Sequence, residues 1–304
     1  MTDDRRPADG TRARRRPAVL ASAAAGCALV AAATPAAAHP AGHAHRLAYV
    51  ALGDSYTSGP GIPTQVDANC ARSNRNYPSL VARRAGAAAF TDASCSGATT
   101  AQMWQAQGTN PPQLDAVSRH TDLVSLQIGG NDVGFGTIIA TCARLGAKDP
   151  AGNPCQRSYG ASGQDASALA VRQTAPKITK VLRAVRARAP HARVLLVGYP
   201  DLLPDDGVGC FPQVPFAQGD FAYLRDTEKR LNAMLRTVAA HNRAAYVDTY
   251  GPTVGHDMCK APADRWIEPL QPAAPAAPAH PNALGEQAMA GAVLHRLAGG
   301  SGHR

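Results

Sequence analysis

Short, mostly apolar runs alternate along the chain with longer stretches whose apolar residues recur every three or four positions. Leu47 to Leu52, Ala87 to Ala93, Asp122 to Ile128, Arg193 to Gly198 and Ala244 to Val247 are of the first kind. They are short and bounded by turn residues, which predicts strands. Val194-Leu195-Leu196-Val197 is apolar without alternation, the pattern of a parallel strand covered on both faces. Tyr77 to Gly86, residues 133 to 145, Ala166 to Ala189, Phe221 to Asn242 and Pro281 to Leu297 read as helices. Pro78 suits the first turn of the first of these and Gly86 its end. In the third, Leu169, Val171, Ile178, Val181, Leu182 and Val185 form the inward stripe, and Pro176 is expected to kink or divide it. Thr99 to Trp104 and Pro112 to Val117 predict shorter helical pieces. Strand and helix alternate throughout, so the fold class is α/β, a three-layer α/β/α sandwich on a five-stranded parallel sheet.

The connections carry their own signals. Residues 60 to 76 are rich in Pro, Gly and Asn and read as a loop. The Gly/Pro-rich stretch between Cys142 and Cys155 and residues 201 to 220 read as further loops. Pro269 to Ala279 is almost all Pro and Ala, so it is expected to be extended and without a core role.

Composition is that of a globular protein: of 304 residues, 45% are hydrophobic but only 5% aromatic, so the core must rest on Val, Leu, Ile and Ala. The N-terminus stands apart. Arg12, Arg14, Arg15 and Arg16 precede an uncharged run from Pro17 to Ala33, and Ala36-Ala37-Ala38 offers a cleavage site. Residues 1–38 therefore read as a secretory signal peptide; the run is too short and too alanine-rich for a membrane span. Residues 39–45, with His39, His43 and His45, read as a flexible leader, and 46–300 as one domain. The net charge is +9, of which residues 1–38 contribute six Arg and three Asp; the remaining +6 favours anionic lipid head groups or cell-wall polymers as neighbours. No Lys/Arg cluster points to nucleic acid; Arg183, Arg186 and Arg188 lie on a solvated helix face. Beyond Cys27 in the leading run there remain Cys70, Cys95, Cys142, Cys155, Cys210 and Cys259. An even number in an exported chain argues for disulfides, with fifteen possible pairings, and no C-x-x-C suggests zinc.

The candidate chemistry sits at strand ends. The first strand stops at Gly53 and is followed by Asp54-Ser55-Tyr56; the third ends in Gly129-Gly130-Asn131-Asp132; His280-Pro281-Asn282 opens the last helix. Ligands in open α/β sheets bind outside the carboxyl ends of the strands. Ser55 alone reads equally as a turn or capping serine. With Asn131 and His280 converging on the same edge, the set becomes nucleophile, oxyanion donor and base. Gly97 follows the second strand, where the missing Cβ lets a backbone N–H approach a substrate oxygen. Asn131 can donate a hydrogen bond where ionised Asp132 only accepts. Asp54 reads as a structural carboxylate that accepts from nearby N–H groups, and His256 is the rival base.

These blocks resemble those of the SGNH (GDSL-type) hydrolases. Gly53-Asp54-Ser55-Tyr56 with Ser58, Cys95-Ser96-Gly97-Ala98-Thr99, Gly129-Gly130-Asn131-Asp132 and His280-Pro281-Asn282 follow one another in that family's order, from about residue 49 to about 290. The cysteines and Arg265-Trp266-Ile267-Glu268 are similar to its secreted actinobacterial lipase and esterase branch. The resemblance implies a flavodoxin-like sheet of order 2-1-3-4-5 and, with sequence order, pairings Cys70–Cys95, Cys142–Cys155 and Cys210–Cys259. It also implies Ser55 as nucleophile, His280 as base, and Ser55, Gly97 and Asn131 as the oxyanion hole. The family's usual Asp three residues before the histidine is Ala277 here. Either another acid orients His280 (Glu268, Asp257, Asp248 or Asp264), or a main-chain carbonyl of Ala277 or a neighbour does; the carbonyl is favoured.

The function expected is a secreted, monomeric ester hydrolase acting on lipid or small acyl-ester substrates, with no cofactor and at most peripheral contact with a lipid surface. A carbohydrate or cell-wall acetylesterase is the alternative enzyme, and an exported binding protein with a degenerate site the alternative without catalysis. Phe211, Val214, Pro215 and Phe216 give the 201–220 loop an apolar side, either packed on the core or forming one wall of an acyl groove.

Overall fold

The computed structural model describes residues 46–299, which lie in one compact unit. The signal peptide, the histidine leader and Cys27 fall outside the described residues.

Strands β1 (Ala48–Gly53), β4 (Ala89–Asp92), β5 (Leu123–Gln127), β6 (Arg193–Val197) and β7 (Ala245–Val247) form one parallel sheet of order β4-β1-β5-β6-β7. Numbered within the sheet this is 2-1-3-4-5, as the family resemblance implies. The period-2 geometry of a strand sends alternate side chains to opposite faces. Val50, Leu52, Val124, Leu126, Val194 and Leu196 point into one core, under α6 (Ala166–Arg188) and α7 (Asp220–His241). Tyr49, Ala51, Leu123, Leu195 and Val197 point into the other, under α2 (Tyr77–Arg84) and α8 (Ala283–Ala298). Both faces are buried; the two polar side chains of β5, Ser125 and Gln127, are hydrogen-bonded inside, to the Tyr49 hydroxyl and to Thr57 and Gly198 O.

The register sets the functional edge. Gly53 stands opposite Gln127, so β1 and β5 end together. Past those ends come the four-residue helices α1 (Ser55–Ser58) and α3 (Gly130–Val133). Two further helices, α4 (Phe135–Gly146) and α5 (Pro154–Gly160), follow α3. Among the described residues no helix is long and apolar enough to cross a membrane.

Four local expectations need correction. Residues 60 to 76 contain a small antiparallel hairpin, β2 (Gln65–Asp67) with β3 (Arg72–Ser73). Pro176 does not divide α6, which runs unbroken for 23 residues. The proline and Arg172, whose carbonyl loses its N–H donor, are both exposed, so water can replace the missing bond. Arg186 is not simply solvated: its guanidinium donates to the carbonyls of Asn242 and Arg243. The Pro/Ala stretch is tied down rather than passive. Ala277 N–H donates to Pro60 O (2.8 Å), the N–H groups of Ala273 and Ala274 donate to Glu268, and Ala279 is only 3% exposed.

Candidate active site

Ser55 is held by the way β1 stops. A Cβ on Gly53 would lie 2.1 Å from Thr57 Oγ1 and 2.8 Å from Gln127 O, so the turn into α1 requires glycine. Gln113 clamps the same residue, donating to Gly53 O and accepting from Gly53 N–H at 2.9 and 2.8 Å. Asp54 caps α1, accepting from Tyr56 N–H (3.0 Å) and from the Tyr199 hydroxyl (2.5 Å). Burial pushes its carboxyl up to about 7, against the pull of those two donors. Gly59, at φ 70°, closes α1 through its N–H to Ser55 O. Ser55 N–H stands in the first turn, where a helix supplies no acceptor.

His280 meets Ser55 from the other side of the chain. Its Nε2 lies 2.7 Å from Ser55 Oγ and its Nδ1 2.7 Å from the carbonyl oxygen of Pro278. A carbonyl only accepts, so Nδ1 carries the hydrogen and Nε2 of the neutral ring is left as acceptor for the serine hydroxyl. Ala279, between the ring and that carbonyl, has φ 58°, an uncommon conformation for a residue with a Cβ. Tyr56 holds the turn: its ring stacks on the imidazole (centroids 4.7 Å apart) and its hydroxyl donates to Ala279 O at 2.6 Å. Asn282 anchors the far side, donating to Glu268 Oε1 and Arg265 O, each at 2.9 Å, while its own oxygen caps α8. Burial lowers the His280 pKa, partly opposed by the Pro278 carbonyl.

Among the described residues no carboxylate bonds the His280 ring. Glu268 serves Arg265, Asn282 and the N–H groups of Ala273 and Ala274. Asp257 accepts from Cys259 N–H and pairs with Lys260; Asp248 accepts from Tyr250 and Gly251. Asp264 contributes its carbonyl to His256 Nδ1. His256 itself lies flat on Trp266, 3.4 Å between centroids, and does not join Ser55.

Gly97 hangs from the same strand end. Cys95 N–H bonds Gly53 O (3.0 Å), the Cys70–Cys95 disulfide ties that segment to the hairpin, and Ser96 N–H bonds Cys70 O. Gly97 is exposed at φ 78°, and no protein acceptor among the described residues takes its N–H. Asn131 gives one amide hydrogen to Ala98 O at 2.8 Å, which fixes the amide and leaves the second hydrogen. Asp132 is turned away onto Thr100 N–H (2.8 Å), Thr100 Oγ1 (2.7 Å) and Lys177. The other two disulfides are Cys142–Cys155 and Cys210–Cys259.

Ser55 and Asn131 open onto a cleft between α4 and α7. Phe135, Ile138 and Ile139 form one wall, Leu224 and Leu231 the other, with Leu202 and Leu203 between. None of Phe211, Val214, Pro215 and Phe216 lines it: Val214 and Phe216 are fully buried, and Phe211 is 41% exposed. Of the two readings of that loop, packing on the core holds for Val214 and Phe216. The backbone there presses on α4, since a Cβ on Gly146 would lie 2.4 Å from Ala217 N.

Sequence reasoning missed Tyr199, whose hydroxyl joins Asp54 to Gly130 N–H, and Asn232, which fastens Tyr199 through both its backbone groups. Tyr199 follows the apolar run of β6 directly, a position that was available as a signal.

The chain is similar to known proteins over most of its length. Residues 51–288 match the GDSL-like Lipase/Acylhydrolase family. Lipase 2 of Streptomyces coelicolor is 44% identical over 265 residues, covering 84% of this chain and 88% of that protein. The crystal structure of phospholipase A1 from Streptomyces albidoflavus has TM-score 0.69 and 29% identity, over 84% of this chain and 99% of that one. The extracellular lipase of Streptomyces rimosus has TM-score 0.67 and 28% identity, over 83% and 99%.

Proposed function

The chain belongs to the GDSL-like lipase/acylhydrolase family and is a carboxylic ester hydrolase; on that premise we propose that it works through an acyl-enzyme on Ser55, with His280 as base. The observation that carries this is the 2.7 Å contact between Ser55 Oγ and His280 Nε2. As Oγ attacks the ester carbonyl carbon, the Nε2 lone pair takes its proton, and the carbonyl π electrons move onto oxygen. The N–H groups of Ser55 and Gly97 and the second amide hydrogen of Asn131 donate to that oxyanion. Collapse expels the alcohol, which receives the proton from Nε2. Water then repeats the sequence: His280 takes its proton, the hydroxyl adds to the acyl carbon, and Ser55 Oγ leaves with the proton returned. Pro278 O holds Nδ1–H throughout and its dipole stabilises the imidazolium that forms twice.

The substrate class we propose is a lipid acyl ester. The apolar cleft beside Ser55 supports it, since an acetyl group would leave most of that surface wet. Export to an oxidising compartment is part of the same reading, supported by the three disulfides and by the character of residues 1–38. The test is hydrolysis of acyl esters of increasing chain length, beside Ser55→Ala. Medium and long chains should be hydrolysed and the variant should lose the activity. Turnover confined to acetyl esters would contradict the lipid assignment.

A further inference from the structure

The cleft that leads away from Ser55 is apolar except for a few groups, and nearly all of those already have partners. Asp54 is engaged by Tyr56 and Tyr199; the Tyr199 hydroxyl by Asp54 and Gly130; the Tyr56 hydroxyl by Ala279. Thr227 Oγ1 donates to Tyr223 O and accepts from Arg230. Ser55 and Asn131 belong to the reaction. One polar atom is left over: Glu228 Oε1 has no hydrogen-bond partner among the described residues, although Glu228 is only 7% exposed. Its Oε2 accepts from Leu202 N–H at 3.3 Å. Leu224, Thr227, Glu228 and Leu231 follow the i, i+3, i+4, i+7 spacing, so Glu228 stands within the apolar stripe that α7 turns to the cleft.

We propose that Glu228 determines acyl specificity, and that the acyl group for which this cleft is built carries an oxygen substituent, a hydroxyl or oxo group, that pairs with Glu228 Oε1. The inference rests on the acyl-enzyme reading of Ser55. A buried polar atom left unpaired costs free energy, and a plain alkyl chain lying against it offers nothing to pair with. Sites that hold a polar group ready for a substrate oxygen discriminate against analogues lacking it, because the protein group is then stranded. Burial, with the charge of Asp201 added, raises the Glu228 carboxyl well above its ordinary range and so favours its neutral form. A neutral carboxyl both donates and accepts, and therefore suits a hydroxyl or a ketone equally.

The experiment is a positional scan on the full chain. Nitrophenyl esters of one chain length are compared, the plain acyl group against isomers with a single hydroxyl moved carbon by carbon from the carboxyl end. One position should raise kcat/KM over the plain ester by roughly 10-fold, the value of one neutral hydrogen bond. In Glu228→Leu the ratio should fall to about one as the plain ester gains; in Glu228→Gln, which still donates and accepts, most of the preference should remain. No favoured position in the native protein, or a preference that survives in Glu228→Leu, overturns the proposal. If the leucine variant does not fold, Glu228→Ala takes its place, with the same expected loss of preference and the same overturning result. Ser55→Ala, run beside them, separates the two readings. Hydrolysis that persists there refutes the nucleophile, whereas Ser55-dependent hydrolysis blind to the hydroxyl refutes only the role of Glu228.

Discussion

The Nδ1 nitrogen of His280 lies 2.7 Å from the carbonyl oxygen of Pro278, two residues earlier in the chain. A carboxylate in this place would supply a full charge; a carbonyl supplies a dipole and a fixed direction. The left-handed Ala279 brings the two together.

No acid near His280 in sequence should therefore behave as a third catalytic member. Asp248→Asn and Asp264→Asn are expected to keep kcat/KM within about twofold, while His280→Ala loses on the order of 10³-fold or more. Glu268→Gln should show chiefly in thermal stability, because that carboxylate binds Arg265, Asn282 and two backbone N–H groups. Steady-state kinetics and melting curves on the variants check both. A loss at Asp248 or Asp264 equal to that at His280 would show a carboxylate orienter.

Tyr56 positions His280 through a stack and a hydrogen bond, which one substitution separates. Tyr56→Phe keeps the ring and removes the donor to Ala279 O. The expected cost is about 1 kcal/mol of stability. Its kcat should fall several-fold at little-changed KM, since the ring that takes the proton is less firmly held. Unchanged kcat with lowered stability would make Tyr56 structural only.

The pH dependence has a definite sign. His280 must be neutral to accept the Ser55 proton, and burial lowers its pKa below the usual 6.5. Activity is then full above that lowered value and is lost as pH falls through it. The acid limb of the kcat/KM profile should have its midpoint below 6.5, and an NMR titration of the His280 imidazole in Ser55→Ala should show the same direction. A midpoint above 6.5 would mean that a negative partner raises it.

Much of this architecture is legible in the sequence, because β1 and β6 are buried on both faces and leave continuous apolar runs. Helices α6 and α7 are legible from their stripes. The β2–β3 hairpin is not: it is five strand residues long, largely polar, and exposes Val66 to 60%. Ser55, Gly97 and Asn131, just past strand ends, and His280, just before α8, could be singled out because turn chemistry punctuates them. The cleft walls could not, since Ile138, Ile139, Leu224 and Leu231 sit on helices whose patterns look the same whether they face a core or a cavity. Alanine at position 277 points to a main-chain carbonyl there or at a neighbour as the orienter of His280, but which one, Pro278, is not legible, because a main-chain acceptor leaves no residue-type signature.

The most direct test is mass spectrometry of the protein after treatment with a fluorophosphonate. Phosphonylation of the Ser55 peptide alone, absent in Ser55→Ala and strongly slowed in His280→Ala, is the expected result. Folded, esterolytic protein that leaves Ser55 unlabelled, or that labels as fast without the imidazole, would contradict the serine–histidine pair.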